Sequence, residues 1–512
     1  MFFSTTKTDK LGTRLDASFY APEYLSQEEK LGQFDTITIG QVASNPKDVT
    51  YGVLKPQVEP SGFLLARIQN FDGGFLNVDS CVTIDEAQFN QYFRSECIDG
   101  DIVVALGGYP GKACIINHIE GSTRVNINQH IARVRVKNDS IDSYYFLSYL
   151  LSNFGRLSLK RQITGSVQSG INLEDLRLVN IPVFNLVAQK YIGDKVRQAE
   201  HLRAWAKDIK QILERLEKNI PIKPYPKKSK KYSILGTIDL TDNRLDAEFY
   251  QDKHIDLDRQ FTSEFRSLGN ITYIFKYGSS VKADYVEKDT GIPFIRGNAI
   301  DANEISSQEI VYLDPSLEDD LNNNFLNNGD VMITRSGTVG ATSDVYDGFD
   351  RYAYGSFIIN CKPKRDIIDS TYLSWYLNGW VGQQQFRRWE NGAVQLNINT
   401  EELAAIAVWI APVEFQQSVA EQVQLLRIVN RLSQHLVTSA KLLVEELIKG
   451  QINEAELVAA QQALEAGDDS LDRALLERIT AEGIDGEGVQ LFDDVDQLYD
   501  LLNQADEAMQ EA

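Results

Sequence analysis

The sequence predicts an α+β protein in which one domain occurs twice, each copy followed by a long helix. Three observations predict it: paired segments about 230 residues apart, short β-branched stretches bounded by turn formers, and two apolar seams at three- and four-residue steps. A period this long marks a duplicated domain, since solenoid repeats are far shorter.

The first pair is RLDASFY, Arg14 to Tyr20, which returns as RLDAEFY, Arg244 to Tyr250. Next, LLARIQNF (Leu64 to Phe71) matches PFIRGNAI (Pro293 to Ile300), placing Arg67 and Arg296 at equivalent positions. GDIVVALGGYPGKA (Gly100 to Ala113) then matches GDVMITRSGTVGA (Gly329 to Ala341), a strand running into a glycine-rich turn. The segments from Asp142 and Asp369 align in turn, pairing Gly155 with Gly382, Gly165 with Gly392, Gln168 with Gln395, Asn172 with Asn399 and Leu176 with Leu403. Both copies pass through a proline, Pro182 or Pro412, into a helical period. Ile192, Val196, Ala199, Leu202, Ala206, Ile209, Leu213, Leu216 and Ile220 form one seam; Val419, Val423, Leu426, Val429, Leu436, Ala440, Leu443 and Leu447 form the other. An isolated amphipathic helix has nothing to cover its stripe, so we expect the two to pair, antiparallel, as a coiled-coil spacer. The alternative is that each packs on its own domain.

The glycine stretches do not fit a phosphate loop. That loop needs GxxxxGK followed by a hydroxyl; GGYPGKA is one residue short and ends in Ala113, and SGTVGA has no lysine. The five histidines are scattered, and neither HExxH nor GxSxG occurs. No catalytic centre emerges. What remains is a turn whose glycines allow positive φ and close approach, set among polar residues suited to phosphate oxygens and base edges. Tyr109, Lys112, Arg124 and Asn128 are the candidates in the first copy; Arg335, Ser336, Thr338 and Arg351 are those in the second. Arg67 and Arg296 join them, with Gln168 and Gln395 as weaker choices, because residues kept in both copies can equally serve the fold. A tight hairpin with ordinary exposed polar residues is the competing explanation.

Charge distribution permits an anionic partner. The formal net charge is -22, but residues 451–512 carry 17 Asp and Glu against Arg473 and Arg478, a local net of -15, leaving -7 on the other 450 residues. A near-neutral body can hold a basic face. KPYPKKSKKY, Lys223 to Tyr232, reads as a basic linker. The acidic tail is helical in pattern, with Leu491, Val495, Leu498 and Leu501 or Leu502 on one side. We expect that stripe to dock on a partner subunit; a solvated extension and DNA mimicry by its carboxylates are the alternatives. Cys81, Cys97, Cys114 and Cys361 form no CxxC pair and read as free thiols. No signal pattern or membrane-spanning run is present, so a cytoplasmic location is expected.

The order of these paired segments resembles the specificity subunits of type I restriction-modification enzymes, over about residues 10–450. The resemblance implies target-recognition domain 1 over residues 1–184, a spacer helix over 185–220, the basic linker over 221–233, target-recognition domain 2 over 234–413, a second spacer helix over 414–450 and the tail over 451–512. It also implies a non-catalytic chain that binds double-stranded DNA with a split target site. Partners implied are two adenine-N6 methyltransferase subunits and, in a restricting complex, nuclease and translocase subunits. S-adenosylmethionine, and ATP with magnesium, would then be held by those partners, with no cofactor or metal on this chain and no membrane. A duplicated protein scaffold and a DNA-modifying enzyme in its own right stay open as alternatives.

Overall fold

The computed structural model describes residues 14–511 apart from positions 15, 44, 118–122, 138, 166–168, 226–243, 245, 283, 322 and 393–394. Gln168 and the basic linker from residue 226 onward therefore lie outside the described residues. The chain divides into two compact units. One comprises residues up to Trp205 together with those from Val429 onward; the other comprises Ala206–Ile428.

In the first unit, β1 (Val49–Tyr51), β6 (Ile131–Val134), β3 (Ile102–Ala105) and β4 (Ala113–Ile115) lie side by side, with all neighbours antiparallel. A second sheet has β2 (Phe63–Ala66) at its centre, parallel to β5 (Val125–Ile127) and antiparallel to Val82–Ile84. Strands β3, β4, β5 and β6 are buried along their whole length; β3 and β4 are continuous apolar runs, while β5 and β6 each bury one polar residue, Asn126 and Arg133. Ala66, Val103, Cys114, Val125, Ile127 and Ile131 join them into one core.

The second unit repeats this arrangement. β7 (Thr272–Tyr277), β12 (Ile358–Pro363), β9 (Val331–Thr334) and β10 (Thr342–Asp344) form its larger sheet. β8 (Ile292–Ile295) is central in the smaller one, parallel to β11 (Ala353–Tyr354) and antiparallel to Val311–Leu313. Register matches as well: Ile131 opposes Ala105 as Ile358 opposes Thr334.

Several repeated residues prove to be structural. Arg14 grips Asp16 with two hydrogen bonds of 2.9 and 2.8 Å while the Tyr20 hydroxyl donates to the Arg14 carbonyl at 2.7 Å. Arg244, Asp246 and Tyr250 do the same at 2.7, 2.9 and 2.7 Å. Asn172 caps the helix Leu173–Arg177, and Asn399 caps Thr400–Ala404, each side chain accepting otherwise unpaired amide protons. A Cβ on Gly155 or Gly382 would sit 2.0 or 2.4 Å from a carbonyl oxygen of the preceding helix, so only glycine fits.

The two long helices run Leu186–Glu217 and Val413–Lys449. Both seams are buried, except that Leu216 and Leu426 are half-buried. The first helix leaves the first unit after Trp205 and the second enters it at Val429, so they run in opposite senses. Inside that unit they touch: the Ser433 hydroxyl donates to the Ala199 carbonyl at 3.0 Å.

The acidic tail corrects one expectation. Its helices Glu454–Glu465, Ser470–Glu477 and Val495–Glu511 belong to the first unit, and Leu491, Phe492, Val495, Leu498, Leu501 and Leu502 are buried there. The stripe is covered by the chain itself and needs no outside partner. Asp472 of the tail pairs with Lys195 of the first long helix at 2.6 Å, both fully buried. Cys97, Cys114 and Cys361 are buried, Cys81 is half-buried, and all four are free. Among the described residues no helix is long and apolar enough to cross a membrane.

Candidate nucleic-acid interface

Each larger sheet carries a glycine turn between two antiparallel neighbours, β3 and β4 in the first unit and β9 and β10 in the second. In the first unit Gly108 and Gly111 adopt φ of +75° and +93°; in the second Gly337 and Gly340 adopt +82° and +91°. L-residues rarely enter this region, which explains the glycines. The hydrogen bond closing the turn is shared: Gly111 N–H donates to Ala105 O at 3.0 Å, and Gly340 N–H to Thr334 O at 2.9 Å. Thr334 also binds the turn with its hydroxyl, donating to the Thr338 carbonyl.

The base of each turn is held from both sides. Leu106 N–H donates to His130 O at 2.8 Å while Ile171 N–H donates to Leu106 O at 2.8 Å. Arg335 N–H donates to Phe357 O at 2.9 Å, and Ile398 N–H to Arg335 O at 3.0 Å. Leu106 and Arg335 are thus equivalent positions, as are Tyr109 and Thr338, or Lys112 and Ala341. The scaffolds agree and the side chains do not. A single backbone frame carries two different chemical surfaces.

In the first unit the structure brings Tyr109, Lys112, Asn128 and Arg67 to one end of the sheets. Tyr109 is exposed, and the Lys112 ammonium lies 5.0 Å over its ring. Asn128 N–H donates to Ala66 O at 3.1 Å, next to Arg67, and its side chain accepts from His130 N–H at 3.1 Å. Arg67 is half-buried, with its Nε shut from solvent and lacking a hydrogen-bond partner. Arg124 lies elsewhere, at the opposite end of β5 from Asn128. Its guanidinium is paired with Glu96 at 2.7 and 2.9 Å and stacked 4.4 Å from the Phe89 ring centre. That hydrogen bond to Glu96 raises its pKa further.

In the second unit Arg335, Ser336, Thr338 and Arg296 gather in the same way. Arg335 lies 4.6 Å over the Tyr277 ring and donates from Nε and Nη2 to Asn397 Oδ1 at 3.2 and 2.9 Å. Ser336 bridges to Asn397 through the backbone, close to Gln395, and Thr338 is exposed at the tip. Arg296 repeats the shielded Nε of Arg67 and has Glu309 at 3.9 Å. Arg351 is not part of this group. It lies beyond the far end of β10, in a turn with φ of +62° whose N–H donates to Leu326 O.

Sequence reading missed Tyr51, Tyr277, Phe357 and Asn397. Tyr51, Tyr277 and Phe357 are exposed. The signal was present as a repeated Tyr-Gly, Tyr51-Gly52 and Tyr277-Gly278. A Cβ on Gly52 would meet Ile127 O at 1.8 Å, and one on Gly278 would meet Gly355 O at 2.2 Å, so each glycine lets the tyrosine strand cross its neighbour closely. Among the described residues no cluster of His, Cys, Asp and Glu could hold a metal ion.

Two copies of one sheet domain, each offering a glycine turn with basic side chains and exposed aromatics, define a duplicated recognition protein. Residues 86–217 and 262–437, together more than half of the chain, match the type I restriction modification DNA specificity domain. A Methanocaldococcus jannaschii protein provisionally named the MjaX specificity subunit of a type I restriction enzyme is 22% identical over 415 residues, covering 78% of this chain and 89% of that one. The MjaVIII specificity subunit of the same organism is 24% identical over 164 residues, covering 31% and 38%. Among solved structures, the S subunit of the M. genitalium type I restriction-modification system aligns with a TM-score of 0.41 at 14% identity, covering 82% of this chain and 96% of that one. The HsdS subunit from Thermoanaerobacter tengcongensis aligns at 0.25 and 16% identity, covering 85% and 97%. The assignment rests on the sequence match: the chain belongs to the specificity subunits of type I restriction-modification systems, which select the DNA and are not themselves the catalysts.

Proposed function

We propose that the chain reads a two-part DNA site, one part with each glycine-turn face, and recruits two adenine-N6 methyltransferase subunits. The observation that supports this most is the shared frame with unlike side chains: Leu106, Tyr109 and Lys112 in one unit stand where Arg335, Thr338 and Ala341 stand in the other. A frame that keeps its backbone and varies its tips can approach the same groove and favour different bases. The major groove distinguishes all four base pairs. Arg67 and Arg296, present in both units, suit phosphate contacts, which position without specifying.

The antiparallel helices supply the spacing between half-sites, as dimer geometry does in two-fold DNA-binding proteins. Chemistry belongs to the partners. Methyltransferase subunits would use S-adenosylmethionine on an adenine extruded from the duplex; nuclease and translocase subunits of a restricting assembly would use ATP and magnesium. This chain holds no cofactor in that scheme, and its place is the cytoplasm, with the DNA.

Selection of full-length protein against randomised duplexes tests the reading. The expected product is a split motif with an unspecified gap, bound with an affinity that falls steeply as salt rises. Salt-independent binding, or no enriched motif, would instead mark a protein scaffold.

A further inference from the structure

We propose that Arg335 reads a guanine in the half-site of the second unit, that Asn397 and Tyr277 hold it in reading position, and that the first unit has no counterpart. This rests on the DNA-reading function above and adds a base identity to it.

The guanidinium of Arg335 is fixed before any ligand arrives. Its Cζ lies over the Tyr277 ring, 4.6 Å from the ring centre, and Asn397 Oδ1 accepts from Nε and Nη2. Asn397 is itself fixed: its N–H donates to Asn391 O at 2.8 Å, and its neighbour Ile398 donates to the Arg335 carbonyl. Two of the five N–H donors are used. Nη1 has no hydrogen-bond partner among the described residues, so its two protons and the second proton of Nη2 remain. One proton of Nη1 and that of Nη2 form the outer fork of the guanidinium, matched in spacing to the O6 and N7 acceptors of guanine. Adenine offers an acceptor and a donor along the same edge, so the fork cannot be satisfied twice there. An arginine already stacked and hydrogen-bonded loses little side-chain freedom on binding, which makes it a selective reader.

The equivalent position in the first unit is Leu106, nearly buried, whose N–H and carbonyl make the same two backbone bonds. Leucine has no donor to offer. The first half-site must be read by other groups, Tyr109 and Lys112 among them, and carries no guanine requirement at the corresponding place.

The test uses the full chain, randomised duplexes and three variants. Wild type should enrich one guanine that R335A no longer requires, all other positions in both half-sites being retained. On the selected duplex R335A should bind roughly 10- to 100-fold more weakly, with unrelated duplex bound as before. Replacing that guanine by 7-deazaguanine, which lacks N7, should weaken wild type and leave R335A unaffected. R335K keeps the charge but not the fork, and should lose the guanine preference while retaining general affinity. N397A should erode the same position alone; a merely structural role would lower affinity for all duplexes together. A uniform loss in R335A across sequences would make Arg335 a phosphate contact, and an unchanged motif would remove it from recognition; either overturns the proposal while DNA reading stands. Failure of wild type to enrich any duplex would overturn both.

Discussion

Asp472 and Lys195 meet where water does not reach. Burial pushes the Asp472 carboxyl up, but Lys195 at 2.6 Å and the hydroxyls of Tyr191 and Tyr499 outweigh it and hold the group below the usual carboxylate range. Removing one member of such a pair strands the other, at a cost of about 3–5 kcal/mol. Asp472→Ala should therefore lower the unfolding free energy of the first unit by about that much in urea titration, and Asp472→Leu with Lys195→Met should recover most of it. An unshifted midpoint in Asp472→Ala would show that the pair contributes nothing. His254, buried in the second unit, is a second test at this scale. Burial first, then Lys253, Arg388 and Arg387, push its pKa down to about 4. The neutral form is the folded form. Its contribution is complete above the unfolded value near 6.5 and is lost as pH falls from there towards 4, by roughly 3 kcal/mol at most. His254→Phe should flatten that part of the stability profile between pH 7 and 4; an equally steep profile would assign the loss to other groups.

Among the elements, the glycine turns divide into tip and base. A Cβ on Gly340 would lie 2.6 Å from the Phe386 ring at φ of +91°, whereas one on Gly337 at +82° meets nothing within 4 Å. Gly340→Ala should thus destabilise the second unit by about 2–4 kcal/mol, through steric overlap and backbone strain, and Gly337→Ala by only about 1–2 kcal/mol. Equal thermal shifts for both variants would contradict this geometry. The turns, strands and seams were legible in the sequence because each is a local pattern: a β-branched run between turn formers, glycine at positive φ, or a helical period. The tail was only half legible. Its stripe could be read from Leu491 to Leu502, but its cover depends on a pairing 277 residues apart between Lys195 and Asp472, and nothing in a local window marks Lys195 as buried. Arg124 stands apart from the other candidates for the same reason. In sequence it neighbours Asn128, but β5 places the two at opposite ends, and Glu96 claims the guanidinium. Arg351 was separated by β10 in like manner, and Asn397 came to Arg335 from 62 residues away.

At the scale of the whole molecule the duplication was the most legible feature, because fold-bearing residues such as Arg14 and Arg244 or Asn172 and Asn399 repeat while turn-tip residues differ. The chain passes from one unit to the other only within long helices, at Trp205 to Ala206 and at Ile428 to Val429. A helix that continues through such a boundary transmits length. If these two helices set the separation of the half-sites, adding residues to both at that level must lengthen the gap without touching either reading face. Seven residues preserve the phase of an apolar seam and add about 10 Å at 1.5 Å per residue, or about three base pairs at 3.4 Å each along one strand. Insertion of seven helix-forming residues into both helices should return the same two half-sites from randomised duplexes, with a gap longer by two to three base pairs. Insertion into one helix alone leaves seven residues without a partner across the seam and should lower stability instead. A doubly extended protein that selects the original gap would show that something other than the helices measures it.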